Sequence, residues 1–266
     1  MDTDKIFEKP FMPLRGLTYH YPGDVVSEID RELLENTKVT LINLPIREQV
    51  SPNNPPLGLV HLGARLQEFG VDVSIVDLNI YRINDAVSKK RNLPNGRVLT
   101  IDEAESLLTE HFDRHGDQDL IGLSGLITTL QWQADVANLT RRLQPQALLI
   151  SGGGLATEFR DILFHWISEL DGIAHSEGDD VILKMAYDAK IIRNLGVEKA
   201  ARSGKLGPYF IETVNGRPRF YYDGGRPKDL NSIPFPAWDL LQTDVRGYPV
   251  LDGITANIRA DLYRLI

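Results

Sequence analysis

Short apolar, β-branched runs alternate along this chain with segments of helical period, and that alternation leaves few folds open. The first run is KVTLINL from Lys38, closed by Pro45; LGLVHLGARLQEFG follows, apolar at helical spacing with Gly70 as its stop. The unit recurs as VDVSIVDL, as LIGLSGL with the helix TLQWQADVANLTRRL behind it, as ALLISGGG with FRDILFHWISEL, and as the short DGIAH. Runs that are apolar at successive positions suit strands buried on both faces. Helical crossovers between them impose a parallel sheet covered on both sides. The expectation is an α/β, flavodoxin-like (Rossmann-type), doubly wound parallel sheet of five strands in the order 2-1-3-4-5.

The flanking segments differ in character. Residues 1–36 are polar and mixed, with one apolar and aromatic cluster in FMPLRGLTYHYPGD, and read as an N-terminal arm. The α/β domain spans 37–195, including a helix IDEAESLLTEHFDRH in the polar stretch between Arg82 and Asp119, and closes with the helix VILKMAYDAKIIRNL. Within 196–241, PYFIETVNGRPRFYYDGGRP holds two runs around Asn215-Gly216, which predicts a small β-hairpin appendage. The proline-punctuated PKDLNSIPFPAWDLL then reads as an extended linker with Trp238 as its anchor.

The net charge of −8 is spread over 266 residues without a basic stripe, so nothing points to nucleic acid or an anionic membrane as partner. No apolar run approaches the roughly 20 residues that span a bilayer, and MDTDKIFEKP lacks the basic and apolar stretches of a secretory signal; a cytoplasmic protein is expected. Cysteine is absent, which removes disulfides, thiolate metal sites and cysteine-held iron–sulfur clusters together. The six histidines show no metal-site spacing.

In an open α/β sheet the ligand lies at the carboxyl ends of the strands, where strand order reverses. After the first strand, Pro55, Pro56, Leu57 and Gly58 bring a stiff backbone near the sheet edge, unless they only start a helix. After the third, Ser124, Gly125, Leu126, Thr128 and Thr129 offer hydroxyls and bare backbone at a helix start, suited to amides, phosphates or ribose or to plain capping. Ser151-Gly152-Gly153-Gly154 follows the fourth strand; three glycines are costly to order, so something should lie against that backbone. The run is neither GxGxxG nor a Walker loop. After the fifth strand, Glu177 and Gly178 with Asp179 and Asp180 place carboxylates where a helix dipole already favours them.

Together these loops resemble the cobalamin-binding domain of cobalamin-dependent radical S-adenosylmethionine enzymes. Asp77-Leu78-Asn79-Ile80-Tyr81-Arg82 stands where that family has Asp, any residue, His, two residues and Gly; Ser124-Gly125-Leu126 matches its Ser, any residue, Leu, and Gly152-Gly153 its glycine pair. The stretches 55–66, 152–154, 177–180 and 229–241 are similar to elements of the branch fused to a radical S-adenosylmethionine barrel. The resemblance implies cobalamin as cofactor, with Asn79, Ile80 and Tyr81 beneath the corrin. Asn79 at the histidine position implies no lower histidine ligand to cobalt.

Residues 242–266 stand where the barrel would begin, and Asp261 and Leu265 occupy the places of two cluster cysteines. The expectation is thus a truncated or degenerate start of a barrel, no iron–sulfur cluster in this chain, and no radical chemistry by it alone. Any such chemistry would need a separate radical S-adenosylmethionine catalytic polypeptide as partner. His175 beside Glu177 could reach cobalt but reads more simply as a surface group, and Ser124 and Ser151 lie in no G-x-S-x-G elbow. Two readings stand: a cobalamin-binding module related to methyltransferases, or a non-catalytic regulatory or nucleotide-binding module of the same fold that has lost the corrin.

Overall fold

The computed structural model describes residues 26–45, 56–79, 99–225 and 229–241. Most of the N-terminal arm and all of 242–266 lie outside the described residues. Strands β1 (Lys38–Asn43), β2 (Asp72–Asp77), β3 (Leu120–Ser124), β4 (Leu148–Gly152) and β5 (Gly172–His175) pair in parallel in the order 2-1-3-4-5. Helices α1 (Leu57–Glu68), α2 (Ile101–His115), α3 (Leu130–Leu143), α4 (Gly154–Phe159), α5 (Val181–Leu195) and α6 (Val197–Arg202) connect or follow them.

The sheet is not five-stranded. Among the described residues it has seven strands, because β6 (Phe210–Val214) and β7 (Arg217–Asp223) join the same sheet, β7 lying parallel to β5 and antiparallel to β6. Asn215 and Gly216 both take positive φ, 52° and 77°, as the two-residue turn requires. The hairpin therefore forms where the sequence places it, but as the sheet's edge. Phe220, Tyr221 and Tyr222 are all buried, the pattern of a strand covered on both faces.

Side-chain chemistry fixes that docking. Arg217 donates Nε and Nη2 to Asp171 Oδ1, at 2.9 and 2.6 Å, while Arg141 Nη2 reaches Asp171 Oδ2 at 2.6 Å. Tyr222 donates its hydroxyl to Asp188 Oδ2 at 3.0 Å, and the Lys184 ammonium, one helical turn away on α5, pairs with Asp188 Oδ1. Burial pushes the Asp188 carboxyl up to about 7, against the opposing pull of Lys184 and Tyr222.

Period-two alternation sends strand residues to two cores. On one face, Ile42, Val76, Ile121, Leu123, Leu149 and Ile173 meet α2, α3 and α4; on the other, Leu41, Val73, Leu120 and Ile150 meet α1 and α5. Beneath α2 the first face carries a polar knot: Thr40 donates to Gln118 Oε1 at 2.9 Å, and His111 Nε2 lies 3.2 Å from Thr40 Oγ1 and 3.1 Å from Ser74 Oγ. Burial first, then the nearby His115 and Arg114, lowers the pKa of His111 to about 3. A capping box between Thr100 and Glu103 starts α2. Among the described residues no helix is long and apolar enough to cross a membrane.

Candidate functional site

The chain passes from β1 outward to β2 and then back across to β3, so strand order reverses between β1 and β3. A cavity of about 460 Å³ opens at the carboxyl ends there, between the sheet and helices α1 and α5. Its floor follows the pleat: Leu41 from β1, Gly122 and Ser124 from β3, Ile150 and Gly152 from β4 and Ala174 from β5 all face it. Alternate residues such as Ser151 point the other way, where Gln133 Nε2 donates to the Ser151 hydroxyl at 3.0 Å.

Helix α1 presents one stripe to the cavity. Leu57, Gly58, His61 and Leu62 line it, the i, i+4 face of the helix, while Val60 and Gly63 turn toward Leu241 and Leu240 of the proline-rich segment. From the opposite side α5 supplies Ile182 and Met185, and the β5–α5 loop supplies Ser176, Glu177, Gly178 and Asp179. Arg65 Nη2 bridges α1 to the start of α5 by pairing with Asp180 Oδ1 at 2.8 Å. The proline-rich segment returns over α1: Ala237 N–H donates to the Val60 carbonyl at 3.1 Å, Trp238 packs with Val60 and Leu241, and Ile233 reaches the cavity.

Of the residues singled out in the sequence, Leu57, Gly58, Ser124, Gly152, Gly153, Glu177 and Gly178 are brought together around this cavity. Pro56 caps the start of α1. Gly125 is buried against Gln133, Thr128 is exposed, and Thr129 Oγ1 closes a tight turn on Leu126, donating to its carbonyl at 2.9 Å and accepting from its N–H at 3.0 Å. Gly154 begins α4. Asp77 accepts from Asn43 Nδ2 at 2.8 Å and from the Asn79 N–H at 3.0 Å, which makes it a turn residue, with Asn79 buried behind it. Pro55, Ile80 and Tyr81 lie outside the described residues.

The three glycines of the run differ in what stands around them. A Cβ on Gly153, at φ +81°, would stand 2.9 Å from the Gly125 carbonyl oxygen, so the close approach there is the protein's own backbone and not a ligand's. At Gly154 a Cβ would meet Leu126 Cδ2 at 3.3 Å. At Gly152 its nearest neighbours would be at 3.8 and 3.9 Å, ordinary contact, and at Gly58 it would meet nothing within 4 Å. No steric contact within the described protein requires glycine at 58 or 152, and both face the cavity.

His175 is turned away from the cavity: its Nδ1 lies 3.3 Å from Asp223 Oδ1 and its ring stacks on Tyr221. His61 was not apparent from the sequence as a site residue. It belongs to the cavity, and its Nδ1 is buried without a hydrogen-bond partner among the described residues. The i+4 spacing from Leu57 was the available signal, masked because a histidine on an otherwise apolar stripe reads as packing. Among the described residues no group of three histidine, aspartate or glutamate side chains could hold a metal ion.

Fold and cavity define an α/β domain of Rossmann type, with a mostly parallel seven-stranded sheet and a ligand-sized crevice at its switch point. No family model matches the chain, and no curated protein matches it. Among solved structures it is similar to the radical S-adenosylmethionine methyltransferase TsrM from Kitasatospora setae, in one structure with tryptophan substrate and the analogue aza-SAM bound and in another with cobalamin and a 4Fe-4S cluster bound. The TM-score is 0.42 in both, at 18% and 17% sequence identity, over 58% of this chain. The chain spans 26% of the length of those structures.

Proposed function

We propose that this domain binds cobalamin at the carboxyl edge of its sheet, with one end of the cofactor entering the cavity between α1, α5 and the strands. The observation that carries the reading is the pair Gly58 and Gly152: both line the cavity and neither is required by a contact with the described residues, although glycine near a helix start costs up to about 1 kcal/mol against alanine. A bulky ligand lying against that backbone supplies the missing reason.

The rim supports the same reading. The large apolar side chains exposed among the described residues are Leu57, Leu126, Ile127 and Phe235. Leu57 starts α1, Leu126 and Ile127 follow β3, and Phe235 lies between Ile233, which lines the cavity, and Ala237, which bonds Val60. Exposed apolar side chains on segments that also supply cavity residues suit a wide, flat, largely apolar ring system. Cobalamin would supply organometallic chemistry at cobalt; this chain's residues would orient it and keep water from its buried end. The resemblance supplies no lower histidine, and Asn79 at that position is buried against Asp77.

A nucleotide is a poorer fit. Among the described residues the cavity is lined by Glu177 and Asp179 and by no lysine or arginine, the wrong charge for a polyphosphate. The test is equilibrium binding of hydroxocobalamin to the full chain, followed by its absorption after ultrafiltration, for the wild type and Gly152→Val. Binding should occur in the wild type and be lost in the variant, with the unfolding midpoint little changed. A wild-type chain that retains no cobalamin ends the proposal.

A further inference from the structure

The segment that follows the hairpin is fastened to two walls of the cavity. On leaving β7 the chain is clamped to the β5–α5 loop: the Gly224 N–H donates to the His175 carbonyl at 2.8 Å, and a Cβ on Gly224 would collide with the Glu177 carbonyl oxygen. Further on it is clamped to α1. Ala237 donates to the Val60 carbonyl, Leu240 lies so close over Gly63 that a Cβ there would meet its Cδ1 at 2.5 Å, and Leu241 is buried. The β5–α5 loop and α1 both line the cavity.

Between the clamps the hold is slight. Among the described residues the hydrogen bonds of 229–235 stay within the segment: the Asn231 N–H donates to Asp229 Oδ1 at 2.9 Å and the Ser232 N–H to the Asp229 carbonyl at 3.1 Å. Ile233 lines the cavity, and Phe235, two positions on, is 80% exposed. Pro234 and Pro236 fix their own φ and bias Ile233 and Phe235 toward extended backbone. A stiff span seated at its ends, with few contacts between them, shifts at little cost. A molecule filling the cavity would give the Phe235 ring an apolar surface to leave water for.

We infer that residues 229–236 are a strap poised to close over the cavity's occupant, with Gly224 and 237–241 as its fixed ends and Phe235 as the side chain that seats on the bound molecule. The inference rests on the cobalamin reading for the identity of that molecule and adds how it is retained. The strap governs how long the ligand stays rather than how it is recognised.

The chain has no cysteine, so Ser232→Cys, at an exposed position on the strap, supplies a single thiol as reporter. Its reaction with N-ethylmaleimide, read by mass, is timed on the full chain with and without cyanocobalamin, and the release of cyanocobalamin is timed separately. Bound cyanocobalamin should slow the maleimide reaction severalfold. Adding Phe235→Ala should abolish that slowing and raise the release rate roughly tenfold, with the association rate little changed. Phe235→Leu should restore both. Phe235 is exposed, so the fold should survive, and urea unfolding of each variant checks it. Bound cyanocobalamin with an unchanged maleimide rate, or unchanged release from Phe235→Ala, overturns the strap and leaves cobalamin binding in place. A chain that retains no cyanocobalamin overturns both.

Discussion

The Arg217 guanidinium meets the Asp171 carboxylate through two nitrogens, joining the first residue of β7 to the buried residue that precedes β5. Asp171 is already held by Arg141 and by the Leu149 N–H, so the hairpin docks on a preformed anion. Replacing Arg217 by methionine should cost about 1–3 kcal/mol, the worth of hydrogen bonds to a charged group. Urea unfolding followed by tyrosine fluorescence would measure it. Asp171→Asn should cost more, because two partly buried guanidiniums lose their shared counter-charge.

Gly153 and Gly58 should behave oppositely. Gly153→Ala forces a side chain into positive φ and against the Gly125 carbonyl, and should destabilise by about 1–3 kcal/mol. Gly58→Ala meets no atom of the described residues and removes unfolded-chain freedom, so it should be neutral or stabilising by up to about 1 kcal/mol. Chemical denaturation of the two variants side by side decides it; equal destabilisation would contradict the distinction.

Acid should act through His111. Its folded pKa of about 3 lies below the ordinary 6.5, so the unfolded chain binds the proton more tightly. Its contribution is present above pH 6.5 and is lost as pH falls from there toward 3, by roughly 2 kcal/mol at pH 5. His111→Gln, whose amide can reach the hydroxyls of Thr40 and Ser74, should flatten the stability profile between pH 7 and 5. An unchanged profile would show that other groups dominate the acid response.

Asp188 has the opposite sign. Its carboxyl is raised to about 7 from 3.8, so the stability it contributes is fully present below pH 3.8 and is lost as pH rises through 7. Tyr222 holds the charged form by donating to Oδ2. Tyr222→Phe should therefore destabilise by about 1–3 kcal/mol at pH 8 and by less at pH 6, where the carboxyl is mostly neutral. Thermal unfolding at the two pH values gives the comparison.

The five parallel strands and the hairpin turn were legible because each is written locally: KVTLINL and LIGLSGL as buried runs, Asn215-Gly216 as a turn both of whose residues accept positive φ. The docking of that hairpin was not, since it depends on Arg217 meeting Asp171 and Tyr222 meeting Asp188, residues brought together only by folding. The contiguous Phe220-Tyr221-Tyr222 was the hint that both faces are covered. At the site, position after a strand identified Gly152, Ser124 and Gly178 as candidates, but could not tell which glycine of the run faces open space. That depends on where the Gly125 carbonyl lies. His61 was hidden for the same reason, because helical spacing shows that it shares a face with Leu57 and says nothing of what stands opposite.

The hairpin also changes what the sheet exposes sideways. With β7 laid along β5, the backbone left unpaired on that flank among the described residues belongs to β6, whose pairing with β7 is broken by an irregularity between Phe210 and Glu212. Glu212 is exposed there, and Arg219 across the ladder approaches it at 3.9 Å. A bent, charged, five-residue border is a poor template for another chain's strand. Among the described residues the segment that completes the sheet thereby also ends it, in a form that disfavours edge-to-edge pairing on that flank.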